Sequence, residues 1–203
     1  MGRLPARDTQ SITQWVQKII DNEGVAHGKA LVLTDTSEAQ LFKDMSTHMI
    51  EQDFPSSWMQ GSRECLSANN TLSDILSASP NRMDLVVYVG HAQPQGWGNY
   101  LQLGEVTALP EVIWTLGASL DCYDGHFADP IKETLAWDLA RGSGQGAIGF
   151  YAPSSVAAPP EHREVFGKLI EELSGNDPIR IGAAILAAEQ KVRADGEVFA
   201  DVA

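Results

Sequence analysis

Two residues equipped for nucleophilic acyl transfer stand at the ends of long apolar runs. The first run is Asp84-Leu85-Val86-Val87-Tyr88-Val89-Gly90, and His91 follows it. The second is Val112-Ile113-Trp114-Thr115-Leu116-Gly117-Ala118-Ser119-Leu120-Asp121, and Cys122 follows it. In such chemistry a thiolate attacks and an imidazole carries the proton. Runs this rich in β-branched and aromatic residues, bounded by turn residues, predict buried strands. Helical patterns lie between several of the predicted strands, so the expected sheet is mostly parallel. In an open parallel sheet the residues just past the strand ends gather along one carboxyl edge. His91 and Cys122, distant in sequence, are expected at that one place.

Each residue has a plainer reading beside the chemical one. Cys122 opens Cys122-Tyr123-Asp124-Gly125-His126, where a strand gives way to a Gly-containing loop. A nucleophile needs that exposure and a pKa below the usual value of about 8.5. A small apolar filler at a strand end would have the same spacing. His91 follows Gly90, and a glycine lets backbone or substrate approach closely. An imidazole there could protonate a leaving amine and then activate water; a polar loop histidine would look alike. His126 is a competitor, but so short a segment rarely turns an imidazole back onto its own thiol. His27, His48 and His162 read as surface residues. The backbone N–H groups of Cys122 and Ala92 are the natural donors for a tetrahedral oxyanion.

The elements that must position these groups follow from periodicity. Residues 9–22 predict a helix, with Ile12, Trp15, Val16, Ile19 and Ile20 recurring at three and four. Residues 30–34 predict a short strand, and 37–51 a helix with Leu41, Met45 and Met49 in its stripe. A weak strand near 57–59 and a helix near 70–78 precede the strand 84–90. Residues 92–110 are rich in Gly, Gln and Pro, with a short hairpin expected near 100–103. After Cys122, Pro130 is expected to open a helix whose stripe is Ile131, Leu135 and Leu139. A strand at 146–151 and helices near 160–174 and 178–194 close the chain. The pattern predicts one three-layer α/β/α sandwich over residues 1–203 with a mostly parallel sheet.

Bulk composition narrows the function classes. The 203 residues carry a formal net charge of −13, which disfavours a nucleic-acid partner. The same charge would suit a basic substrate or partner, or serve solubility alone. No apolar run approaches the ~20 residues of a membrane span, so no membrane partner is expected. The opening Met1-Gly2-Arg3-Leu4-Pro5 lacks the apolar core of a signal peptide. Localisation stays open between a cytoplasmic chain and a piece of a longer precursor. Two cysteines are too few for a disulfide framework, and the five histidines are too scattered for a structural zinc site. No metal or other cofactor is expected.

Several segments resemble, in order, the caspase-like catalytic domain of the gingipain family of cysteine peptidases, the C25 peptidases. Gly2-Arg3-Leu4-Pro5-Ala6-Arg7, with Lys18-Ile19-Ile20-Asp21-Asn22-Glu23, resembles the family's opening "GRLPAR…KIxxYE". Val87-Tyr88-Val89-Gly90-His91 resembles "xYxGHG", and Cys122-Tyr123-Asp124-Gly125-His126-Phe127 resembles "CxNGxF". Leu135-Ala136, Gly146-Ala147-Ile148-Gly149 and Ala152-Pro153-Ser154-Ser155 resemble "LAExL…GAxAxxxxSS". Ile181-Gly182-Ala183-Ala184 resembles the late "xGxAxxxAK" helix. Each piece is weak alone; the ordered set is specific.

The resemblance implies a caspase-like fold and a cysteine endopeptidase acting on peptides or proteins. It matches Cys122 to the nucleophile, His91 to the catalytic histidine and Glu23 to a glutamate lying near that histidine. It matches Asp35 to an acidic residue that bonds a substrate Arg or Lys, although Asp35 could equally cap a helix. Ser154 and Ser155 match the segment against which the substrate strand pairs. There are departures. Ala92 stands where the family has glycine, which strains a position of positive φ. Asp121 precedes the cysteine, where a carboxylate would oppose the thiolate unless it points to the other side of the strand. The upstream subdomain and any downstream module of longer members are not in this chain, so further domains of a parent chain are expected partners. The alternatives are a catalytically inactive caspase-like binding or regulatory module, and a thiol enzyme of another class such as an amidase.

Overall fold

The computed structural model describes residues 8–22, 29–55, 62–126, 133–142, 144–156, 159–175 and 179–194. Five strands form one parallel sheet: β1 (Ala30–Asp35), β2 (Ser62–Leu66), β3 (Arg82–Val89), β7 (Ile113–Leu120) and β8 (Gly146–Tyr151). Their spatial order is β2-β1-β3-β7-β8. Three two-residue strands, β4 (Ala92–Gln93), β5 (Gly96–Trp97) and β6 (Leu101–Gln102), form a small antiparallel sheet within the segment that joins β3 to β7.

Side chains alternate across a strand, so each central strand feeds two cores. Val32, Val87, Val89, Ala118 and Leu120 face one core. It is closed by Phe42 and Met45 of α2 (Ala39–His48), Phe166 and Ile170 of α5 (Pro159–Leu173), and Ala184 and Ala188 of α6 (Ile181–Ala194). Leu31, Leu33, Val86, Tyr88 and Trp114 face the other. It is closed by Leu72, Ile75 and Leu76 of α3 (Leu72–Ala78), Leu135 and Leu139 of α4 (Leu135–Arg141), and Trp97. The result is the three-layer α/β/α sandwich expected from the sequence.

Several local expectations are corrected. Thr134, not Pro130, caps α4: its side chain accepts from Trp137 N–H, and residues 127–132 lie outside the described residues. The weak strand near 57–59 also lies outside them, and the outermost strand β2 is Ser62–Leu66. Its Ser-Arg-Glu-Cys-Leu sequence is polar and carries two charged residues, which on an edge strand oppose pairing with another chain. The helix expected over 37–51 ends at His48 and passes into one turn of π-helix, Met49–Asp53. Leu41 is exposed, and Phe42 takes its place in the buried stripe with Met45 and Met49. His162 is buried rather than on the surface, and burial pushes its pKa down to about 4.

Helix α1 (Thr9–Asn22) packs on one side of its apolar stripe, where Trp15 and Ile19 are half-buried. Ile12, Val16 and Ile20 are exposed while Lys18 is buried. Lys18 Nζ donates to the carbonyls of Gln145 at 2.9 Å and Ala147 at 2.8 Å, and Trp15 Nε1 donates to that of Ile148 at 2.9 Å. Three side-chain hydrogen bonds onto β8 and the residue before it, together with the half-buried Trp15 and Ile19, fix the helix. No helix among the described residues is long and apolar enough to cross a membrane.

Candidate active site

The register of β3 against β7 aligns the two chemical residues. Val89 pairs with Leu120 where the two strands end, and His91 and Cys122 each follow two residues further along the chain. Neighbouring strands lie ~4.8 Å apart, so both residues follow adjacent strand ends at the carboxyl edge. Gly90 N–H also donates to the Leu120 carbonyl at 3.5 Å, which carries the pairing one step beyond the regular strands.

His91 is held from several directions. Its N–H donates to Asp35 Oδ2 at 3.2 Å, and its carbonyl accepts from the Tyr88 hydroxyl at 2.8 Å. Its Nε2 lies 3.1 Å from Glu38 Oε1, with both side chains more than half exposed. Phe42 meets the imidazole edge-on with ring centroids 5.0 Å apart. Glu38, the N-cap residue, and Phe42, in the first turn of α2, both reach the imidazole. Gly90 has to be glycine, because a Cβ there would collide with the Asp35 side chain and the Tyr88 hydroxyl. The close approach at Gly90 comes from these two supports of His91.

Asp35 closes β1 and is buried. Its Oδ1 accepts from Ser37 N–H at 2.7 Å and from the Tyr100 hydroxyl at 2.9 Å. Burial alone would raise its pKa, but the Ser37 and His91 N–H donors and the Tyr100 hydroxyl outweigh it and hold the carboxyl below its ordinary value. Asp35 does not cap α2. The N-cap position is Glu38, which makes no side-chain cap bond.

Cys122 is half-buried at the start of a tight loop. Tyr123 adopts a left-handed backbone with φ of 63°, a conformation that costs a non-glycine residue ~1–2 kcal/mol. Its N–H donates to the Ser155 carbonyl at 3.1 Å, and Gly125 N–H donates to that of Pro153 at 2.8 Å. His126 Nδ1 lies 2.7 Å from the Ser154 carbonyl, so that nitrogen carries the proton and is committed there. Ser154 and Ser155 thus brace the loop that begins with Cys122. Cys65 is on β2, three strand spacings from β7, too far for a bridge to Cys122.

Two buried acids lie beneath this loop. Asp124 Oδ2 accepts from Trp97 Nε1 at 2.8 Å and its Oδ1 from Ala136 N–H at 3.0 Å. Burial pushes Asp124 up to about 6 despite these donors. Trp97 also stacks on Tyr88, with ring centroids 4.5 Å apart at 6°. The Trp97–Asp124 bond therefore ties the loop after His91 to the loop after Cys122. Asp121 lies on the same side as Ser119, whose hydroxyl donates to it. Burial and the adjacent Asp124 push Asp121 well above the usual carboxylate range. That shift favours the neutral acid and weakens the opposition to a thiolate expected from sequence.

The remaining expected site residues are placed as follows. Ala92 opens β4 opposite Trp97, and its φ is not positive, so the family's glycine is not required here. Glu23 lies outside the described residues. Glu38 is the carboxylate beside His91, and sequence reading missed it. Its signal is an acid four residues before an aromatic at the start of the helix after β1; reading that signal requires knowing that β1 neighbours β3. Trp97 and Tyr100 were also missed, since they lie in an aperiodic segment. Among the described residues no group of three or more His, Cys, Asp or Glu is placed to hold a metal ion.

A parallel α/β/α sandwich with a thiol and an imidazole on adjacent strand ends defines a class to which known proteins can be compared. The chain belongs to peptidase family C25, whose model matches residues 1–201. Its fold is similar to that of the Arg-specific cysteine proteinase gingipain R, with a TM-score of 0.68 and 16% identity over 94% of this chain and 50% of that one. It is similar to the complex of Porphyromonas gingivalis RgpB pro- and mature domains, with a TM-score of 0.68 and 15% identity over 93% and 49%. A structure described as a protease gives a TM-score of 0.75 and 12% identity over 97% and 50%. The chain thus spans about half the length of these solved structures. No curated protein matches it.

Proposed function

We propose that this protein is a cysteine endopeptidase, with residues 1–203 read as one peptidase domain. The observation that carries the reading is the Val89–Leu120 pairing, from which His91 and Cys122 follow at equal distance. Nε2 of His91 lies 3.1 Å from Glu38 Oε1, so in this reading Nδ1 is the nitrogen that serves the thiol. The Cys122 thiolate attacks the scissile carbonyl carbon, and the backbone N–H groups of Cys122 and Ala92 hold the oxyanion. The C–N bond breaks as the His91 imidazolium gives its proton to the leaving amine. Water then attacks the thioester, its proton returns to His91, and the C–S bond breaks to release the acid.

Glu38 is read as a positioning residue that orients the imidazole through its contact with Nε2. Ser154 and Ser155 are read as the acyl-side rim. The mechanism requires no cofactor. The test is hydrolysis of a mixed peptide library by the folded protein and by Cys122→Ala. Cleavage by the wild type alone supports the reading. Equal cleavage by Cys122→Ala, or none by either, overturns it, and the second result leaves the binding-module alternative.

A further inference from the structure

We propose that Asp121 is a positioning residue of the site that works as a neutral acid: it shares one proton with Asp124 through Ser119, and the loop carrying Cys122 keeps its shape only while that proton is held. The proposal rests on the reading of Cys122 as nucleophile. The two carboxyls flank Cys122 in the chain, one just before it and the other in the loop after it. Both are buried, with exposures of 4% and 0%. Ser119 pairs with Tyr88 across β7 and β3, so the group lies on the Trp97 side of the sheet.

Among the described residues no lysine, arginine or histidine bonds either carboxyl. The neighbouring elements bring neutral groups. β5 contributes the Trp97 indole and α4 the Ala136 N–H. β3 contributes the Tyr88 hydroxyl, which donates to the His91 carbonyl and is kept protonated by burial and the nearby acids. The Cys122 thiol is the other titratable neighbour of Asp121. Two ionised carboxylates in this space would repel with no cation between them, so one proton stays.

Hydrogen bonding decides where it sits. Asp124 takes an N–H on each oxygen, from Trp97 and from Ala136, the pattern of an ionised carboxylate. Asp121 has Ser119 on Oδ2, and its buried Oδ1 has no partner among the described residues. An unpaired oxygen costs far less on a neutral acid than on a carboxylate. Ser119 has one hydroxyl proton and acts on both carboxyls. With Asp121 ionised, that hydroxyl donates to Asp121. With Asp121 protonated the bond reverses: the acid donates to Ser119 Oγ, and the hydroxyl turns to Asp124. Only the second arrangement gives the single charge three donors and each proton an acceptor.

Loss of the proton takes one donor from Asp124 and leaves two buried charges. Water must then enter, or one carboxylate must move out. Asp121 is joined directly to Cys122, and Asp124 ties this loop through Trp97 to the one after His91. Either movement shifts the thiol relative to the imidazole.

The test compares the pH dependence of peptide cleavage by the wild type and Asp121→Asn, each normalised to its own kcat/KM at pH 7. Asparagine keeps a donor for Ser119 and has no proton to lose. Whatever the Cys122–His91 pair adds to the pH dependence is common to both and cancels. Between pH 7 and pH 9.5 the wild type should fall roughly tenfold further than Asp121→Asn, since each pH unit past a titration removes about tenfold of the protonated form. Carbon NMR of wild type labelled at its aspartate carboxyls gives a second reading. One aspartate should still be protonated at pH 8 and should titrate over the range in which cleavage falls. Matching normalised profiles, or aspartates all ionised at pH 8, overturns the proposal and leaves the peptidase reading standing. If Asp121→Asn does not fold, the NMR titration of the wild type decides. No cleavage at any pH overturns both.

Discussion

Trp97→Phe isolates the bond that joins the two loops of the site. The indole is fully buried and donates to Asp124 at 2.8 Å. The stack on Tyr88 survives with a phenyl ring, so the change removes mainly the N–H and a small volume. A hydrogen bond to a charged group contributes ~1.5–3 kcal/mol, and the vacated volume costs on the order of 1 kcal/mol more. The expected loss is ~2.5–4 kcal/mol where Asp124 is ionised, a large part of a typical domain's stability. The loss depends on pH. Asp124 titrates at about 6, above its unfolded value, so the native state binds that proton more tightly than the unfolded chain. Wild-type stability from this group therefore falls as pH rises from about 4 to about 6 and is level above. The indole favours the charged form, and without it the Asp124 pKa rises further. The deficit of Trp97→Phe should be smaller near pH 5, where only a neutral hydrogen bond of ~0.5–1.5 kcal/mol is lost, and full near pH 8. Urea denaturation followed by far-ultraviolet circular dichroism at the two pH values measures this. A deficit equal at both, or larger at pH 5, would refute the argument.

Other consequences are as specific. Glu38→Gln should leave stability within ~1 kcal/mol, because the His91–Glu38 pair is largely exposed, yet lower the rate of acylation; thermal melts and pre-steady-state labelling separate the two. Lys18 titrates at about 7 when folded, below its unfolded value, so stability should rise as pH climbs from about 7 to about 10. Lys18→Met should abolish that rise in urea titrations at pH 7 and 9.5. Tyr123→Val should cost ~1–2 kcal/mol by melting temperature, because a β-branched residue tolerates φ of 63° poorly, while Tyr123→Asn should stay within ~1 kcal/mol.

The sheet and its site edge were legible because buried parallel strands are written as unbroken apolar runs. The runs ending at His91 and Cys122 are of this kind, and the last strand, Gly146–Tyr151, matches its expected bounds. The polar edge strand β2 escaped for the opposite reason. Helix α1 misled because its apolar stripe marks its buried face only in part, through Trp15 and Ile19; Lys18 lies at the centre of that face and bonds carbonyls more than a hundred residues away. Periodicity carries no trace of such a bond. The supports of the site were hidden likewise. Glu38, Tyr100 and Trp97 reach His91, Asp35 and Asp124 only because the strand order sets β1 beside β3 and folds the β3–β7 connection back over the edge. Order along a sheet is a long-range property, which local pattern does not encode.

The central claim is that Cys122 and His91 act as one unit. The most direct measurement is labelling of the folded protein with acyloxymethyl-ketone peptides carrying Arg, Lys, Asp or Leu next to the warhead, read by intact mass and site mapping. The account predicts a single adduct on Cys122 that is lost in His91→Ala while a small alkylator still reaches the thiol. No adduct with any peptide on a protein whose Cys122 is alkylated freely, or equal labelling of wild type and His91→Ala, would contradict it.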